Sequence, residues 1–257
     1  MLLLHGFPEF WFSWRHQILP LADAGFRVVA PDMRGTNLSS APREMLAYRE
    51  ETLGLDVLNL IEALGADRAR VVGHDWGGWA AWWAAMQRPE RVERQLLRAW
   101  MIAPGLPEAT APLGRLTTRA IYKSALVRTG LMSGEELDRY AEVWRLGGRG
   151  PRFWRIASGP STNPYRCQHH DRKVPMEQRC APFASPVLVI YGAEDRYMGP
   201  ELAQPPAELV PDPRVEPIPG RITGLRWRSP NASLSCCSTS SRAEAPHPEI
   251  GREQSSG

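Results

Sequence analysis

The sequence predicts an α/β fold in which a mostly parallel sheet is flanked by helices and interrupted by an inserted helical segment. Short apolar runs at residues 1–4, 26–30, 69–72, 92–100 and 186–191 alternate with stretches of helical spacing. Such alternation is the signature of strand–helix–strand units and therefore of parallel pairing. The string Gly73-His74-Asp75-Trp76-Gly77-Gly78 joins one of these runs to a Trp/Ala-rich helix. Between residues 103 and 184 the alternation gives way to helical segments broken by Gly and Pro.

Each element has a local cause. Residues 1–4 read as a short buried strand stopped by the turn-forming His5-Gly6-Phe7-Pro8. Residues 11–24 have helical character closed by Gly25, and 26–30 form a second strand ending at Pro31-Asp32-Met33-Arg34-Gly35. Val57, Leu60, Ile61 and Leu64 recur at helical spacing before the stop at Gly65. Residues 69–72 are the strand that delivers Asp75, and Trp79, Trp82 and Trp83 are expected in the core of the helix that follows. Ser133-Gly134-Glu135-Glu136 is a helix-start signal, and 186–191 returns to strand before Gly192-Ala193-Glu194-Asp195. The expected organisation is a core in two parts, 1–102 and 185–220, with a helical cap at 103–184. The serine-rich tail, 221–257, reads as disordered by composition.

Bulk properties narrow the function. A chain of 257 residues with 43% hydrophobic residues suits one globular core with an excursion. The formal charge of +3, from 31 basic and 28 acidic side chains without a dense basic block, points away from nucleic acid. No apolar run approaches the roughly 18 residues that span a bilayer, so a cytoplasmic protein without a membrane partner is expected. The 4 cysteines form no disulfide framework, and Cys167, His169, His170 and Cys180 match no ordinary zinc spacing. No cofactor or metal is implied.

The elbow is the chemical signal. At a sharp strand-to-helix turn only small flanking residues avoid clashes, so Gly73, Gly77 and Gly78 leave the Asp75 side chain presented at the sheet's edge. Esterases carry serine at that point. A carboxylate attacking carbon forms an alkyl ester that water must cleave, chemistry suited to epoxides or alkyl halides.

Taken together, His5-Gly6-Phe7-Pro8-Glu9-Phe10-Trp11-Phe12-Ser13-Trp14-Arg15-His16 and the Asp75 elbow resemble the α/β-hydrolase fold epoxide hydrolases, over roughly residues 1–100 and 184–220. The resemblance implies that Asp75 is the nucleophile, that the backbone N–H groups of Phe7 and Trp76 stabilise an oxyanion, and that His5 belongs to the oxyanion turn. It also implies that Asp195 is the acid orienting a catalytic histidine and that Tyr165, in Asn163-Pro164-Tyr165-Arg166, protonates the epoxide oxygen. The family's second cap tyrosine would fall near residues 103–105, where none stands. Asp32, in an Asp-x-Arg-Gly turn, is expected to be structural. The implied partners are a small-molecule epoxide and water.

Both ends depart from the family pattern. A β-hairpin ordinarily precedes the strand at residues 1–4. More important, the strand-like 214–220 should run into a His-Trp pair bearing the general base, and it runs into Arg221-Ile222-Thr223-Gly224. Codons for residues 221–241, if chosen freely and read one nucleotide earlier, can encode a His-Trp pair and an amphipathic helical pattern. A frameshift after Gly220 is therefore expected, with Thr223 at the position of the base and activity impaired. The alternatives are a haloalkane or haloacid dehalogenase, which also uses an aspartate elbow, and a non-catalytic remnant.

Overall fold

A computed structural model describes residues 1–6, 9–98, 123, 127–128, 130, 132–146, 183, 185–194 and 203–219. Phe7, Tyr165, Asp195, residues 103–122, most of the expected cap and the tail at 221–257 lie outside them. The elements in chain order are β1 (Leu2–Leu4), α1 (Arg15–Asp23), α2 (Glu50–Ala63), β2 (Ala69–His74), α3 (Trp76–Gln87), β3 (Val92–Arg98), α4 (Gly134–Leu146), β4 (Val187–Gly192) and β5 (Pro213–Ile218). The five strands pair in sequence order and all in parallel. The α/β fold class read from the sequence is the one observed.

Alternation along the strands explains how both sheet faces are buried. Leu2, Leu4, Val71, Val187 and Val189 point into one core with Leu53, Val57 and Ile61 of α2 and Ala80, Ala81, Trp82 and Ala84 of α3. Leu3, Val72, Leu188 and Ile190 point the other way, against Trp14 and Leu21 from the α1 side. A two-residue side-chain period yields this division only when helices cover both faces. As expected, Trp82 is core, while Trp79 and Trp83 pack on that core partly buried.

Helix boundaries follow the sequence signals closely. Gly25 and Gly65 adopt φ of +89° and +71° just past α1 and α2, the left-handed stop that a side chain would strain. The segment before α1 is a 3-10 turn, Trp11–Trp14, so the helix expected from residue 11 begins as tighter coil. One expectation requires correction. Residues 26–30 do not form a full strand: Val29 makes a single parallel bridge to Leu2, through Leu3 N–H to Val29 O at 2.9 Å and Val29 N–H to Met1 O at 3.0 Å. With β1 only three residues long, the ladder has too little partner backbone to extend.

A third, smaller cluster ties α4 to the chain just past β1. Phe10 is 5% exposed and Tyr140 is fully buried, their rings edge to face at 4.9 Å, with Met132 and Leu137 around them. Ser133 and Glu136 form a reciprocal capping box: the Glu136 N–H donates to Ser133 Oγ at 3.1 Å and the Ser133 N–H to Glu136 Oε2 at 2.8 Å. The helix-start signal at Ser133 is thereby realised.

Candidate active site

Asp75 stands between β2 and α3, at φ +54° and ψ −120°, and its carbonyl accepts the Trp79 N–H at 3.2 Å. A non-glycine residue with that backbone is rare, and it persists where the surroundings over-determine it. Here Gly73 and Gly77 do so by bringing backbone against backbone, and Gly6 by bringing its main chain against the Asp75 side chain. A Cβ at Gly73 would run into the backbone of Gly77 and Gly78, and one at Gly77 into the carbonyls of Leu4 and His5. A Cβ at Gly6 would stand 2.5 Å from Asp75 Oδ1 and 2.8 Å from its Cγ. The main chain after β1 therefore lies directly against the carboxylate, and the side chain is 3% exposed. The first turn of α3, with Trp76 8% exposed beside Trp79, presents its N–H end to the same point.

Register extends this edge across the sheet. Gly73 is level with Leu97 of β3, and Leu97 with Val189 of β4. β4 therefore ends at the same edge as β2, and its last residues lead through Ala193 and Glu194 to the position of Asp195. Asp195 itself, with Tyr165 and Phe7, lies outside the described residues. Of the residues named from the sequence, Asp75, Trp76 and His5 are brought together here.

His5 is turned into the protein. Its Nδ1 is 2.8 Å from the Gly6 carbonyl, and its Nε2 accepts the Met33 N–H at 2.9 Å, which together define an Nδ1–H tautomer. The ring thus shapes the turn beside Asp75 through the backbone. Burial is the largest influence on its imidazole and holds it below the ordinary 6.5, against the Gly6 bond and the Asp32 and Glu9 carboxylates. The unfolded chain consequently binds a proton that the folded chain does not. Stability tied to neutral His5 is complete above pH 6.5 and is lost as pH falls through its lower folded value. Calorimetry at about pH 7.5 and about pH 5.5 should show a falling midpoint, and His5→Gln should reduce that fall.

Beneath the elbow lies a pair that sequence reading missed. Glu9 and His74 are 7% and 4% exposed, with Oε2 3.4 Å from Nδ1. Glu9 belongs to the quoted string, yet nothing in its spacing joins it to His74. Asp32 is structural as expected: Oδ1 accepts the Trp11 N–H at 3.0 Å and Oδ2 the Asn37 Nδ2 at 2.8 Å. Arg34 of the same turn pairs with Asp56 through two nitrogens.

Comparison with known proteins agrees with this architecture. The family profile described as alpha/beta hydrolase fold matches residues 1–108. The AB hydrolase superfamily protein YfhM of Bacillus subtilis is 35% identical over 229 residues, covering 79% of this chain and 76% of that protein. Epoxide hydrolase B of Mycobacterium tuberculosis is 54% identical over 91 residues, which is 35% of this chain and 26% of that enzyme. The chain thus aligns with about a quarter of that relative's length. The crystal structure of epoxide hydrolase A from Mycobacterium thermoresistibile superposes with a TM-score of 0.74 at 24% identity, over 94% of this chain and 90% of that one, a likeness of fold. The chain belongs to the α/β-hydrolase superfamily.

Proposed function

We propose that this chain opens small epoxides by covalent attack from Asp75, and that the resulting ester is released slowly. The observation that carries the reading is the Asp75 backbone at φ +54°, with its carboxylate against Gly6 and at the N-terminus of α3. One carboxylate oxygen forms the new C–O bond as the epoxide C–O bond breaks. The electron pair passes to the epoxide oxygen, which takes a proton from a general acid, the role proposed for Tyr165. In the second half, water adds to the ester's carbonyl carbon. Developing negative charge falls to the N–H groups proposed at Phe7 and Trp76, and collapse releases the diol and restores the carboxylate.

The second half needs a base to take the proton from water, with Asp195 proposed to orient it. His5 is engaged by backbone at both nitrogens. His74 is buried beside Glu9. Beyond β5 the sequence reads Arg221-Ile222-Thr223, and His247 is the next histidine. General base help ordinarily contributes about 10²–10⁴-fold, so its loss lets the ester accumulate. The buried site, with no cofactor invoked, is proposed to take a small uncharged epoxide and water.

The test is intact-protein mass spectrometry after incubation with an aryl epoxide. A persistent adduct of the epoxide's mass, mapped to Asp75, is the expected result. Rapid diol formation without an adduct would show a working base, halide release from an alkyl halide would assign dehalogenation instead, and a folded chain inert to both would be a non-catalytic member.

A further inference from the structure

The turn that touches the nucleophile is held at its far end by a helix outside the sheet. The Glu9 N–H donates to Gly6 O at 3.0 Å, and Gly6 is the residue whose main chain lies on the Asp75 carboxylate. Directly after it, Phe10 packs on Tyr140 of α4 at 4.9 Å and on Phe12 at 5.7 Å. Arg15, at the start of α1, lies over the Phe12 ring at 4.6 Å, donates to the Phe12 carbonyl at 3.1 Å and reaches Glu136 of α4 through Nε at 2.7 Å and Nη2 at 2.6 Å. Arg139 of α4 lies over the same Phe12 ring at 5.2 Å. Glu136 divides its carboxylate, one oxygen on Arg15 and the other on the Ser133 N–H that begins α4. Its pairing with the core and the start of its own helix therefore depend on the same group.

We propose that α4 is a positioning element for the reaction at Asp75: Glu136 and Tyr140, acting through Arg15 and Phe10, hold the main chain of Gly6 and Glu9 in place beside the nucleophile. The catalytic half of this inference rests on the Asp75 reading above, whereas the mechanical half stands on the contacts. The turn is also held by the Glu9–His74 pair and by the Trp11 N–H on Asp32, and α4 adds support from a helix more than 100 residues further along the chain. A shift of α4 would move Phe10 and with it the backbone that faces the carboxylate. Small displacements of that kind act on the rate of attack more than on substrate affinity.

Hydrogen exchange on the full chain, followed by mass spectrometry, tests the mechanical half in Glu136→Gln, Arg15→Met, Arg15→Lys and the Glu136→Gln/Arg15→Met pair. Exchange should rise several-fold both at residues 132–146 and at residues 9–14, the double variant should match the worse single one, and Arg15→Lys should recover part of the protection. Peptides covering β4 and β5 should be unchanged, which separates local release from unfolding. In parallel, the limiting rate of adduct formation on Asp75 should fall about tenfold in Glu136→Gln, with half-saturating epoxide unchanged. Faster exchange confined to α4, or an unaltered limiting rate, would overturn the proposal. If the wild-type chain forms no adduct, the Asp75 reading fails, and linked exchange at 9–14 and 132–146 still decides whether α4 supports the turn.

Discussion

Replacing Asp75 by asparagine is expected to abolish covalent capture of an epoxide while leaving the fold intact. The amide keeps the shape of the carboxylate in a site where the side chain is 3% exposed. It removes the anionic oxygen proposed to form the ester bond, and loss of a nucleophile is among the largest single effects in enzymes. The rate of adduct formation should fall by roughly 10⁴-fold or more. Intact-mass kinetics on the purified variant gives the number, and a thermal midpoint close to wild type shows that the loss is chemical. An Asp75→Asn chain alkylated as fast as the wild type would place the reactive group elsewhere.

Gly77→Ala should cost stability although it adds one methyl group inside a helix. In an ordinary helix this exchange gains up to about 1 kcal/mol from propensity. At Gly77 the new Cβ would enter the carbonyls of Leu4, fixed in β1, and of His5 directly after it. Overpacking against backbone should outweigh the gain and leave a net loss of about 3 kcal/mol. For a chain of this size that is a drop in thermal midpoint of about 6–12 °C. Gly134→Ala is the matched control, since a Cβ there meets nothing within 4 Å, and its midpoint should not fall. A Gly77→Ala protein melting with the wild type would show that β1 and α3 are not in backbone contact.

What the sequence revealed depended on range. The Asp75 elbow was legible because its causes are local: an apolar strand, glycines where side chains would collide, and a helix. The capping box at Ser133 was legible for the same reason. The Glu9–His74 pair and the Arg15–Glu136 bridge were not, because each joins residues far apart in the chain through folding alone. Residues 26–30 looked like a strand because Phe26 and Val28–Val29 are apolar, but pairing depends on the neighbour, and β1 supplies only three residues. The family resemblance implies that His5 belongs to the oxyanion turn, whereas its two contacts, with the Gly6 carbonyl and the Met33 N–H, come from the folded backbone.

Between β3 and β4 the chain departs for residues 99–186 and returns to the adjacent place in the sheet, where Gln95 meets Val187 and the Ser185 hydroxyl closes on the Val92 carbonyl. Because both ends of that detour are fastened to one another, its length is nearly decoupled from the ladder: doubling it would add only about 0.6 kcal/mol of closure entropy. Segments of the excursion other than α4 and the Phe183 contact can therefore change in length at little cost, while β3 and β4 stay in register beside the strand that carries Asp75.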